Sequence, residues 1–384
     1  MKVTIAVKGR FHAFYLAREL QERGHLWRLI TTYPVFETMK YGVAREKIQS
    51  LLVHEILFRA WSQTRLSRLP CNPQYLFHEA FDRHAARHLP GGTQIFVGWS
   101  SLALHSLRRA RQLGAKTVVE RGSSHILHQS RILREEYERL GLKPTLPHPL
   151  IVQKELQEYE EADFISIHSA FVKASFLARG VPEGKLFHTP LGVDLTVFQP
   201  RPRQDHLFRV IHCGTLSIRK GVPYLLQAFA ELNLPRAELW LVGSLTEEIR
   251  PFLDKFASPR ILHKGPFPEW DLPQYYSQGS VFCLASLEDG FAMVQAQAMA
   301  CGLPVICTAN TGASDLVRPG RDGFIVPIRD VEALKEKMLF FYENPGACQE
   351  MGASARQRVQ EFTWSDYASK MISAYQQILG PGKS

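Results

Sequence analysis

Apolar residues fall along the chain in two kinds of run. Short, nearly continuous ones, such as Val3–Val7 and Val281–Ala285, alternate with longer stretches in which apolar positions recur every three or four residues. A short continuous run fits a strand buried on both faces, and the longer pattern fits an amphipathic helix. The alternation predicts parallel sheets joined by crossover helices, an α/β chain. In the first half, strands are expected at Val3–Val7, Leu26–Thr31, Ile95–Val97, Thr117–Val119 and Phe164–Ile167. A helix over Phe11–Arg23 sets Phe14, Ala17 and Leu20 on one face and stops at Gly24. Residues 34–90 read as mostly helical, rich in Arg, His and aromatic residues, an elaboration on the first domain. Within them, Lys40–Arg68 sets Leu51, Ile56, Leu57, Phe58 and Trp61 among Arg45, Lys47, Arg59, Arg65 and Arg68. That mixture fits an interfacial helix, although the pattern favours an ordinary helix packing its apolar stripe on the first sheet.

A second series begins after the linker Pro200-Arg201-Pro202. Its strands are expected at Arg209–Cys213, Glu238–Val242, Arg260–His263, Val281–Ala285, Pro304–Thr308 and Phe324–Val326, with helices between them. Thr363–Leu379 reads as a capped helix, with Thr363 at the N-cap, Asp366 three residues later at N3, and Tyr367, Met371, Ala374 and Ile378 along one stripe. The expected architecture is two Rossmann-like doubly wound domains, residues 1–200 and 201–364, followed by a final helix and tail, 365–384. Each domain presents strand C-termini and helix N-termini at one edge, and two such edges facing each other form a cleft suited to a two-substrate reaction.

The charge is uneven. The 384 residues carry +9, all of it in residues 1–195, where 27 Lys and Arg face 18 Asp and Glu; residues 196–384 hold 19 of each. A basic half beside a neutral one suits an anionic partner such as acidic phospholipid or an anionic saccharide, or is simply a solvated surface. The six Cys, among them Cys213, Cys283 and Cys307 inside apolar runs, form no Cys-x-x-Cys pair and read as buried thiols of a reducing compartment. The opening run reads as a strand, not a signal peptide, and the uncharged stretch Gly290–Ser314 is broken by Gln295, Gln297, Gly302 and Pro304. A cytoplasmic protein is expected, with any membrane contact peripheral, at the inner face.

Two segments carry chemistry. Gly214-Thr215-Leu216-Ser217-Ile218-Arg219-Lys220-Gly221 lies between a strand and the helix expected from Val222. Gly214 lets a ligand approach the backbone, and Arg219 and Lys220 bring two cations to a helix N-terminus that already favours anions. That combination suits a diphosphate; the spacing is not that of a P-loop. The second segment, Glu288-Asp289-Gly290-Phe291-Ala292-Met293 through Gln297 to Ile306, follows the strand ending near Ser286. Its acids can accept from sugar hydroxyls while free helix N–H groups face phosphate oxygens. No Gly-x-Ser-x-Gly elbow, Asp-x-Asp or Gly-x-Gly-x-x-Gly after a strand is present.

Taken together, the two segments resemble the GT-B-fold glycosyltransferases of family 4, the retaining nucleotide-sugar-dependent type. Further matches run in order: Gly192-Val193-Asp194 with Phe198 and Pro200, Gly312 with Asp315-Leu316-Val317, Gly323-Phe324-Ile325-Val326, and Phe362-Thr363-Trp364. The resemblance covers the second half nearly end to end and the first half more loosely. It implies two facing lobes with the last helix crossing back to the first, and retaining transfer of a sugar from a nucleotide diphosphate to a hydroxyl acceptor, a glycan or lipid-linked one, with no metal, no cofactor and no nucleic acid. On it, Arg219, Lys220, Asp289 and His125 are the catalytic candidates. Gly214, Thr215, Gly243, Glu288, Gly290, Phe291, Ala292, Met293 and Gln297 would bind the donor, with the base near Gly243-Ser244 and Lys264-Gly265-Pro266-Phe267. Arg10, His12 and Arg121, after strand ends of the first domain, would line the acceptor side, Arg121 reaching the phosphates. Three positions depart from the family. Thr215 stands where it has Arg, Asp289 where it has Glu, and Gln297 where a second Glu holds ribose hydroxyls; a neutral partner there weakens the hydrogen bonds. These departures leave a non-catalytic nucleotide-sugar or glycan-binding member of the same fold as the alternative.

Overall fold

The computed structural model describes residues 1–63 and 73–380. Val3–Val7 (β1), Leu26–Thr31 (β2), Ile48–Ser50 (β3), Ile95–Trp99 (β4), Lys116–Glu120 (β5), Phe164–Ile167 (β6) and Leu186–His188 (β7) form one sheet in the order β3-β2-β1-β4-β5-β6-β7. Phe208–Cys213 (β8), Ala237–Val242 (β9), Ile261–Gly265 (β10), Val281–Leu284 (β11), Val305–Thr308 (β12) and Gly323–Val326 (β13) form a second in the order β10-β9-β8-β11-β12-β13. Every pairing in both is parallel. The central strands β1 and β11 are buried along their whole length, which is why they read as apolar runs, broken only by Thr4.

Each sheet reverses its winding once, between β1 and β4 and between β8 and β11. Crossovers leave in opposite directions there, so a crevice opens at the strand C-termini. The loops after β1, β5, β8 and β11, which hold most of the candidate residues, all open on these edges.

The strands expected from sequence form within a few residues of their places. Two edge strands were not anticipated: β3, inside the segment read as helical, and β7, each three residues long and too short for a pattern to show. The rest of that segment does hold helices, at Val35–Met39, Leu52–Gln63 and Gln74–Arg87. The helix Leu52–Gln63 packs only part of the expected stripe, Phe58 and Trp61 lying against Phe77 of the helix Gln74–Arg87 and not on the sheet. Val53, Ile56 and Leu57 are exposed, so the favoured sequence reading fails there; its continuation to Arg68 and Cys71 lie outside the described residues. No helix among the described residues is long and apolar enough to cross a membrane.

The last helix, Trp364–Leu379, begins with a full capping box between Thr363 and Asp366. It packs on the first helix, Ala13–Glu22, where Trp364 stacks on Tyr15 with ring centroids 4.4 Å apart. A second bridge runs the other way. The helix Ile126–Arg139 leaves the first sheet and buries Ile132, Leu133 and Tyr137 in the core of the second lobe. Its Glu136 accepts from Tyr224 and from Arg329, each at 2.5 Å.

Candidate active site

Lys220 and Asp289 meet where the second sheet reverses. The loop after β8 delivers Lys220, and the loop after β11 delivers Asp289. The backbones touch: Gly221 has φ +65°, and a Cβ there would lie 1.8 Å from the Ala285 carbonyl oxygen. A side chain is excluded, and the contact fixes the two loops in register. Lys220 Nζ is ion-paired with the Asp289 carboxylate, and both side chains are almost wholly buried. Burial lowers the Lys220 pKa, Asp289 only partly opposing it and Arg219 adding to the fall. Burial works the other way on Asp289, yet Lys220 and Arg219 outweigh it and hold the carboxyl below its ordinary value.

Arg219 Nη1 donates to the Glu288 carbonyl at 2.9 Å and faces its carboxylate at 3.3 Å. Among the described residues its remaining nitrogens make no hydrogen bond. Burial opposes its charge, but Asp289 and Glu288 raise its pKa above the ordinary value. Two cations and two carboxylates therefore balance at the mouth of the cleft.

Glu288, placed by sequence at the donor, is instead fully buried and bound to the other lobe. It accepts from Ser124 N at 2.7 Å and from Gln129 Nε2 at 2.9 Å. Its neighbour Gly290 completes the clasp. A Cβ there would lie 2.1 Å from the Gly122 carbonyl oxygen, and Ser169 Oγ donates to the Gly290 carbonyl at 2.5 Å. Only Asp289 of the acid pair stands beside Lys220.

Phe291 is buried, and Ala292 takes a left-handed φ of +51° at the start of the helix Met293–Ala300. That turn aims the first N–H groups of the helix back along the loop. Gly214 and Gly243, at the ends of β8 and β9, lie backbone against backbone, and Gly243 N donates to the Gly265 carbonyl at 2.9 Å. Thr215 is exposed. The fifth residue of the helix, Gln297, is buried; its Oε1 accepts from Tyr276 OH at 3.2 Å and its Nε2 points at Glu269, 3.4 Å away.

The first-lobe candidates separate from this group. Arg121, expected to reach the phosphates, spends its donors inside the first lobe. It is buried and donates to Ser124 O at 3.0 Å, Ser100 Oγ at 3.2 Å, Gln129 Oε1 at 3.0 Å and Glu155 at 2.9 Å. It thereby holds in place both groups that grip Glu288. His125 is an N-cap, accepting from Leu127 N at 3.2 Å, with its ring packed against Tyr159 and Phe176. Burial, with Arg121 adding, pushes its pKa down to about 4. His12 is turned inward, 3.3 Å from the Glu120 carboxylate and edge-on to His168. Each of these three is drawn to a buried partner on another strand or helix, which its own sequence neighbourhood does not announce.

Arg10 does face the gap, donating to Glu269 at 2.7 Å and to Tyr41. Glu269 also accepts from Tyr15 OH at 2.9 Å. Glu269 and Tyr15 were missed by sequence, Glu269 by two positions: the base-side segment ended at Phe267. Nearby, a cavity of about 330 Å³ opens among Tyr15, Arg18, Tyr41, Asp194, Glu269 and Trp270.

Among the described residues, two clusters could offer three ligand atoms to a metal: His12, Glu120 and His168, and Glu79, Asp82 and His105. The second already balances its carboxylates with Lys154, at 2.5 and 2.8 Å. Neither includes Lys220 or Asp289.

The family described as Glycosyl transferases group 1 matches residues 208–344, a span that holds both loops. The chain is 25% identical to the MMP alpha-(1->4)-mannosyltransferase of Mycolicibacterium hassiacum, over 95% of this chain and 93% of that one. It is 26% identical to the GDP-mannose-dependent alpha-(1-6)-phosphatidylinositol monomannoside mannosyltransferase of Mycolicibacterium smegmatis, over 64% of this chain and 66% of that one. Its fold matches that of Anabaena Alr3699/HepE in complex with UDP-glucose, with a TM-score of 0.71 and 16% identity, covering 97% of this chain and 100% of the other.

Proposed function

We propose that this chain, a glycosyltransferase of the GT-B fold, transfers a hexose from a nucleoside diphosphate to a hydroxyl of a glycan or lipid-linked acceptor, with retention and without a metal. The observation that carries the reading is the convergence of Lys220, Arg219 and the start of the helix Met293–Ala300 at the reversal point of the second sheet.

In this reading the bond from the sugar anomeric carbon to the diphosphate oxygen breaks as the acceptor oxygen bonds to the same carbon from the leaving-group side. The acceptor proton passes to a phosphate oxygen, so no protein nucleophile is needed. Lys220 and Arg219 stabilise the charge that grows on the leaving diphosphate, an effect that is strong in a site screened from water. Asp289, held ionised by those cations, accepts hydrogen bonds from the sugar hydroxyls. Retention and freedom from metal rest on the resemblance of the two loops to family 4 and on these cations. The exposed apolar residues Val53, Ile56 and Leu57 on the basic lobe support an acceptor presented at an anionic membrane surface.

The test is a screen of UDP-, GDP- and ADP-hexoses, reading diphosphate release and the anomeric configuration of the product with and without a chelator. One donor should be turned over, with retention, unaffected by the chelator, and Lys220→Ala should lose most of the activity. Nucleotide binding with no diphosphate released from any donor would favour the non-catalytic alternative.

A further inference from the structure

The buried amide at position 297 carries no charge and its oxygen is already engaged. Gln297 Oε1 takes the Tyr276 hydroxyl hydrogen at 3.2 Å, which leaves it one neutral lone pair. A ribose diol brings two hydroxyl hydrogens that need acceptors, for which a carboxylate is the strongest partner. A carboxylate is present at that spot, on a different element. Glu269, in the turn of helix Glu269–Asp271 after β10, lies 3.4 Å from Gln297 Nε2 with its side chain nearly buried.

The spacing fits a nucleotide. Gln297 is the fifth residue of the helix Met293–Ala300, about 6 Å along the axis from the turn that faces the phosphates. That is about the reach from a diphosphate to its ribose. On the far side, Phe267 stacks on Tyr275 with centroids 4.1 Å apart, giving the loop before Glu269 a rigid footing.

We propose that Glu269 is the residue that accepts the ribose hydroxyl hydrogen bonds, in place of a carboxylate at position 297; this rests on the donor-binding reading above. The two positions form an exchanged pair. A Glu at 297 would set a second carboxylate against Glu269, so the neutral amide is what tolerates Glu269 there. Arg10 and Tyr15 of the first lobe hold Glu269. The ribose contact is therefore completed only when the lobes are together, and it ties nucleoside recognition to closure.

The experiment is calorimetric binding of UDP, GDP, ADP and their 2′-deoxy counterparts to the full chain and to Glu269→Gln, Gln297→Glu, the double variant and Arg10→Gln. The intact protein should prefer one ribonucleotide over its deoxy form by about tenfold. Glu269→Gln should cut that ratio to about twofold or less. Gln297→Glu alone should weaken binding, and the double variant should recover the ratio. Arg10→Gln, which loosens the first lobe's hold on Glu269, should lower the ratio part of the way; a ratio unchanged in it would detach ribose recognition from closure. A ratio unchanged in Glu269→Gln overturns the assignment and leaves the donor site standing. If none of UDP, GDP and ADP binds the intact protein, the donor reading fails and takes this one with it.

Discussion

The two walls of the cleft spend charge differently. On the second-lobe wall, Arg219 and Lys220 sit on a loop at the reversal point and are balanced by Glu288 and Asp289; they are the cations proposed to meet the donor. On the first-lobe wall, Arg121, His125 and His12 occupy equivalent places after strand ends but turn inward. Arg121 braces Ser124 and Gln129, His125 caps a helix, and His12 faces Glu120. In the proposed reading one wall offers charge to a substrate, and the other uses it to hold a shape that the first wall docks against. A polar residue after a parallel strand can serve either end, and the presence of a buried counter-charge decides which.

That contrast can be broken by experiment. Arg121→Ala should act on stability, because it strands the buried Glu155 carboxylate; a loss of about 4 kcal/mol is expected in denaturant unfolding. Lys220→Ala should do the reverse. Its turnover should fall by about a hundredfold, roughly 2.7 kcal/mol of transition-state stabilisation, while the unfolding midpoint moves less, because Arg219 still faces the Asp289 charge. If Arg121→Ala folded normally and lost nucleotide affinity instead, the two walls would not differ as described.

Acid provides a milder probe. His125 and His212 are both pushed down to about 4, chiefly by burial. Their neutral forms are favoured in the fold, so the stability they contribute is complete above pH 6.5 and is lost as pH falls toward about 4. Between pH 7 and pH 5 each should cost about 2 kcal/mol. His125→Asn, which keeps a capping side chain, should remove about 2 kcal/mol of the drop in unfolding free energy. The smallest effect belongs to the second wall: Ala292→Gly should relieve the left-handed strain at that residue and raise stability by about 1 kcal/mol, read as a small upward shift in Tm.

How much of this was legible in the sequence follows the same divide. Lys220, Asp289 and the helix after them could be read because the loop, the strand before it and the helix after it are contiguous, and the reversal point brings two such units together. The strands β1, β2, β6 and β8 were visible as apolar runs. Arg121 could not be assigned, since Glu155 lies on another helix and its charge is felt only in the fold. Glu288 looked like a twin of Asp289, yet successive residues of an extended loop point to opposite sides, and the far side here is the other lobe. Glu269 was hidden for a related reason: its role depends on Gln297 and Arg10, which are distant in sequence. The docking of Ile126–Arg139 on the second lobe was equally silent, because an amphipathic stripe does not say which core it will enter.

The return of Trp364–Leu379 to the first helix bears on how the protein is made. During synthesis the first lobe emerges long before residues 364–379 exist, so the face of the helix Ala13–Glu22 around Tyr15 stays bare until late in translation. A nascent chain in that state carries uncovered apolar surface for many seconds, and it needs either a chaperone or a slow, local order of folding to reach the ribosome's release step without sticking to its neighbours.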